Sequence, residues 1–161
     1  PMYSMSTSAV SATREKIARE RREFERSMRD DSDDNMEIMY RYLLMSASGM
    51  LGYRSLLRNI IELPEGAALW HCSVGRDRCG LASALVETVL GVSWEVIEAD
   101  YLATNIFATN EQTFSYPAVI RALRAARDTA SERYGSLMGY IHEALEVTPA
   151  EVEQLRERYL S

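Results

Sequence analysis

The stretch LWHCSVGRDRCGLAS, Leu69 to Ser83, decides how this chain is read. It holds both cysteines, Cys72 and Cys79, and one of the two histidines, His71. Gly75, Arg76, Arg78 and Gly80 stand among them at tight spacing. The run AALWH, residues 67–71, is short and apolar and predicts a buried strand. Leu81, Leu85, Val86, Val89 and Leu90 recur at helical spacing and end at Gly91, which suits a helix C-terminus. The stretch is therefore predicted as strand, loop and helix start.

That order gives the loop a chemistry. Cys72 would lie just ahead of a helix N-terminus, where unpaired N–H groups and a positive partial charge favour a thiolate. The residues after it, Ser73, Val74, Gly75, Arg76, Asp77 and Arg78, are long enough to curl around a tetrahedral anion with their N–H groups pointing inward. Gly75 permits backbone angles that other residues resist. Arg78 can grip two anion oxygens with its planar fork. A thiolate inside an anion cradle suits attack on phosphorus, because the cradle also stabilises the charge of the transition state. Other loop chemistries fail on residues. Leu81 stands where a Walker loop needs Lys. His71 and Cys72 are adjacent and His142 is distant, so no zinc spacing results. A redox dithiol would read Cys-x-x-Cys.

The segment HCSVGRDRCG resembles the His-Cys-x5-Arg signature of the protein-tyrosine phosphatase superfamily. It is most similar to a bacterial branch whose loop reads His-Cys-x-x-Gly-Lys-Asp-Arg-Thr-Gly. GVSWEVIEADYLATN, ERYGSLMGYIHEAL and TPAEVEQLRERYL resemble the C-terminal half of that branch in order and spacing, so the likeness covers residues 36–161. The resemblance implies that Cys72 is the nucleophile and forms a cysteinyl-phosphate. It implies that Arg78 binds the phosphoryl group, and that His71 supports a low thiol pKa from behind the loop. Arg76 replaces the branch's Lys as a second cation at the pocket mouth, a feature linked with phosphoinositide tolerance. Asp77 is either a proton donor to the leaving oxygen or a loop-bracing salt bridge. Cys79 stands where the branch has a hydroxyl that assists the second step. A thiol is a weaker donor, so that step should slow. The sulfur of Cys79 should also lie near that of Cys72.

The implied activity is hydrolysis of phosphotyrosine in proteins, with phosphoserine/threonine or phosphoinositides as further substrates, and no metal or organic cofactor. Two other readings stand beside it: a catalytically impaired phosphate-binding module or truncated fragment, and an inositol-phosphate phosphatase using the same loop.

The chain has 161 residues, 47% hydrophobic and 26% charged, which fits one globular domain. A net charge of −6 excludes a nucleic-acid binder held by a basic surface. No apolar run is long enough for a transmembrane segment. Cytoplasm is the default location, and secretion stays open because an N-terminal signal could precede Pro1. Residues 1–35 read as a charged lead-in with a lid helix or a solvated helix over 12–34, in which only Ile17, Phe24 and Met28 offer an apolar stripe. Asp34 or Asn35 would cap the next helix. Residues 36–161 read as the C-terminal part of a phosphatase domain, with the phosphate-binding loop at 71–80. Two helices are expected over 36–63, divided at SASG (46–49). Later starts are marked by Ser93, by Ser136, and by Thr148 with Pro149 and Glu151 as a capping box. One strand among about seven helices cannot form a sheet alone. The fold class is therefore read as α/β, a cysteine-phosphatase fold, mostly helical in this chain because the N-terminal strands are missing from it.

Overall fold

The structure, a computed structural model, describes residues 7–28, 35–107 and 117–160. Its described elements are α1 (Thr7–Ser27), α2 (Asn35–Met45), α3 (Ala47–Glu62), α4 (Asp77–Leu90), α5 (Trp94–Phe107), α6 (Ile120–Tyr134), α7 (Leu137–Glu143) and α8 (Pro149–Leu160). Of the charged lead-in expected over 1–35, residues 1–6 and 29–34, with the cap at Asp34, lie outside the described residues.

The helix boundaries follow local chemistry. Ser46 caps α3 by accepting from Gly49 N–H at 3.1 Å. Position 49 must be glycine, because a Cβ there would meet the Leu43 carbonyl oxygen at 1.9 Å. Gly91 closes α4 at φ 82, with its N–H bonded to Thr88 O at 3.1 Å and Val92 N–H to Glu87 O at 3.0 Å. Ser136 caps α7 through Gly139 N–H at 2.8 Å. At α8 the capping box closes both ways: Glu151 N–H donates to Thr148 Oγ1 at 3.3 Å, and Thr148 N–H donates to Glu151 Oε2 at 2.8 Å.

The core is a helical bundle. α2 packs along α6, whose inward face is Ala122, Ala125, Ala126 and Ala130. These small side chains let the two backbones approach closely. Tyr40 and Leu44 of α2, Leu85 and Val89 of α4, Leu123 of α6 and Tyr140 and Ile141 of α7 are at most 1% exposed. The buried Tyr140 hydroxyl donates to Leu44 O at 2.6 Å, tying α7 to the end of α2. α8 tethers two helix C-termini with cations: Arg158 donates to Leu63 O at 2.8 Å beyond α3, and Arg156 to Val89 O at 2.9 Å in α4. α1 lies on α2 and α3, with Phe24 stacked on Tyr42 at 4.3 Å and Glu20 Oε2 accepting from Ala47 N–H at 2.7 Å.

The expected buried strand at 67–71 is not formed; no strand occurs among the described residues. Ala67, Ala68 and His71 are exposed, and Leu69 is 92% exposed. The physical reason is the lack of a partner: a lone extended segment gains no ladder hydrogen bonds and no sheet face to bury. The described architecture is thus all-helical, where an α/β class was expected.

Candidate active site

The loop from Cys72 to Arg76 joins the extended segment to α4. Gly75 takes φ +84, a left-handed conformation that favours glycine, and turns its N–H onto Cys72 Sγ at 3.2 Å. Burial pushes the Cys72 thiol up, but the backbone N–H groups of Cys79, Gly75 and Val74 and the Cys79 thiol outweigh it, and the net shift is downward. Ser73 is exposed at the loop tip.

Cys79 behaves oppositely. Burial first, then the hydrogen bond and charge of Cys72, push its thiol up to about 11. One thiol is held as donor while its neighbour is favoured as thiolate. The two sulfurs lie together as expected, and both cysteines are free.

Arg76 and Asp77 form a bidentate pair, Nε to Oδ1 at 2.8 Å and Nη2 to Oδ2 at 3.0 Å. Arg76 is only 9% exposed, so its side chain turns inward rather than standing at the pocket mouth. Asp77 Oδ1 also accepts from Tyr40 OH at 2.8 Å. Both oxygens of Asp77 are therefore engaged, which is the arrangement of a loop brace. Arg78 is exposed, and its guanidinium makes no hydrogen bond or ion pair with the described residues. Its carbonyl accepts from Tyr53 OH at 3.4 Å. His71 is exposed and is not among the groups that shift Cys72. With no strand to carry it, the imidazole is not held behind the loop.

A cavity of about 400 Å³ opens beside the loop, walled by Tyr53, Leu56, Trp70, His71, Arg78 and Cys79 among others. Gly80 lets α4 pack closely on α5, since a Cβ there would lie 2.8 Å from the Tyr101 ring. No group of three or more His, Cys, Asp or Glu that could hold a metal occurs among the described residues. No described helix is long and apolar enough to cross a membrane.

Tyr40 and Tyr101 were not legible as site residues. At helical spacing from Leu44, Tyr40 reads as one more core position, and nothing in the sequence joins positions 40, 77 and 101.

The family model described as "Tyrosine phosphatase family" matches residues 2–161. The chain belongs to the tyrosine phosphatase family. Two relatives agree. The triple specificity protein phosphatase PtpB of Mycobacterium tuberculosis is 35% identical over 132 residues, 64% of this chain and 48% of the relative. A Cupriavidus necator protein, whose name assigns it provisionally to the tyrosine-protein phosphatases, is 34% identical over 128 residues, 68% of this chain and 46% of the relative. The chain thus spans about half the length of the curated relatives it matches.

Proposed function

We propose that this chain carries the phosphate-binding loop of a cysteine-dependent phosphatase acting on phosphotyrosine. The observation that carries the reading is that Cys72 Sγ, just ahead of α4, accepts from Gly75 N–H at 3.2 Å, in surroundings that lower its thiol. The Cys72 thiolate attacks phosphorus, the S–P bond forms, and the P–O bond to the leaving group breaks. Arg78, exposed and without an acidic partner, clamps the phosphoryl oxygens. Water then attacks the cysteinyl-phosphate and releases the thiolate. Asp77 serves as the loop brace in this reading, since both its oxygens already accept hydrogen bonds.

The test is hydrolysis of p-nitrophenyl phosphate with EDTA present. Activity that survives chelation and disappears in Cys72→Ser supports the mechanism; loss on chelation, or full activity in Cys72→Ser, contradicts it. A panel of phosphotyrosine, phosphoserine/threonine and phosphoinositide substrates decides the range, and an inositol phosphate belongs on the same panel.

The Cys72–Cys79 contact favours a second reading, a phosphate binder that turns over poorly. One equivalent of p-nitrophenolate released in a burst, with little after it, would distinguish that case.

The exposed Leu69 supports the proposal that residues 67–71 form a strand of an α/β sheet whose other strands are not among the described residues. Amide exchange at 67–71 should be fast in this chain and slow once those strands are present; equal rates would argue against it.

A further inference from the structure

Three helices, α2, α4 and α5, meet at Asp77 through a pair of hydroxyls that the reaction as described does not use. The Tyr101 and Tyr40 hydroxyls lie 2.5 Å apart, and Tyr40 OH donates to Asp77 Oδ1 at 2.8 Å. A phenol has one proton to give. That of Tyr40 is committed to Asp77, so Tyr101 supplies the proton between the two rings. The chain is therefore directed from α5, through α2, to the first residue of α4. It ends on a carboxylate that also receives Nε and Nη2 of Arg76.

Each link sits in the core. Tyr40 is 0% exposed and Tyr101 4% exposed, with the rings crossed edge to face at 6.2 Å. Burial above all pushes both phenols up, so they stay protonated donors at any working pH. Phenylalanine would pack the same volume with no hydroxyl to satisfy. The hydroxyls matter for what they hold: Asp77 lies between Arg76 and Arg78 at the edge of the loop. A carboxylate free to swing there would place negative charge beside an anion site, where repulsion is strong because water is partly excluded.

We propose that Tyr40 and Tyr101 are positioning residues that hold Asp77 against Arg76 and so keep its charge out of the anion cradle in front of Cys72. This rests on the reading of 72–78 as a phosphate cradle. Tyr40 acts directly on Asp77, and Tyr101 acts through Tyr40.

The test is alkylation of Cys72 in the full chain by anionic iodoacetate and by neutral iodoacetamide, with the modified cysteine located by mass spectrometry. Wild type should favour iodoacetate over iodoacetamide more than a free cysteine does, and inorganic phosphate should protect it. Tyr40→Phe should lower that preference about tenfold, the worth of one hydrogen bond to a charged group. It should also move the pH midpoint of iodoacetamide alkylation upward. Tyr101→Phe should act in the same direction but less. In an Asp77→Asn background, Tyr40→Phe should change the preference by less than about twofold, because its target charge is gone. Wild-type preference and midpoint in Tyr40→Phe, even with a lower Tm, would overturn the proposal, as would an equal effect in the Asp77→Asn background. Absence of both preference and phosphate protection in wild type would refute the cradle itself, and the proposal with it.

Discussion

Cys72 and Cys79 carry opposite assignments within one turn of chain. Burial, and then the same contact that helps lower the first thiol, raises the second to about 11. A Cys79 proton shared with Cys72 stabilises a departing thiolate less well than a hydroxyl would, because S–H is a weak donor. Cys79→Thr should therefore raise steady-state turnover of p-nitrophenyl phosphate about 2–10-fold, the range of one net hydrogen bond, and leave the burst rate unchanged. No gain would mean that the second step does not depend on this donor. The pair also predicts a redox response. Hydrogen peroxide oxidises the Cys72 thiolate to a sulfenic acid, with one oxygen transferred and hydroxide released. The Cys79 sulfur then displaces water to give a disulfide. Peptide mapping without reductant should find the Cys72–Cys79 bond, and dithiothreitol should restore activity. Inactivation with both thiols still free would contradict this.

At the scale of elements, the boundaries with side-chain caps were legible in the sequence, because each is set by residues within a few positions. Ser46, Gly91, Ser136 and the Thr148–Glu151 box all sit where local pattern places them. The segment 67–71 does not form the expected strand here because a strand depends on partners that its own sequence does not contain. The loop was legible as far as Cys72, Gly75 and Arg78. The inward turn of Arg76 and the tyrosines behind Asp77 were not, since they depend on packing between helices far apart in sequence. Two substitutions test the boundary logic in urea unfolding. Thr148→Ala should cost about 1 kcal/mol, the usual worth of an N-cap. Gly49→Ala should cost more, about 2–4 kcal/mol, because its Cβ would strike the Leu43 carbonyl at 1.9 Å. A Gly49→Ala variant as stable as wild type would show that the α2–α3 junction does not need that approach.

Over the whole molecule, two carboxylates pull stability in opposite directions with pH. The hydrogen bond from Arg58, together with Thr148 and against burial, holds Glu151 down at about 2. Its contribution is present above the unfolded value near 4.5 and is lost as pH falls towards 2. Burial, then Asp100, pushes Glu87 up to about 7. The folded state therefore holds a proton there that the unfolded state releases near 4.5, and stability from this site declines as pH rises through 7. Glu87→Gln should accordingly raise Tm relative to wild type at pH 8 and change it little at pH 4; an equal shift at both would contradict the burial argument. The bundle's larger consequence is to hold one loop between α3 and α4 so that the lowered Cys72 thiol faces the Gly75 N–H, as the proposed thiolate mechanism needs. The most direct measurement of that claim is rapid acid quench of the chain with p-nitrophenyl phosphate, followed by mass spectrometry of the peptide containing residues 69–83. The account predicts one phosphoryl group on Cys72, matched by released p-nitrophenolate and absent in Cys72→Ser. Release of p-nitrophenolate with no phosphoryl group on Cys72 would contradict it.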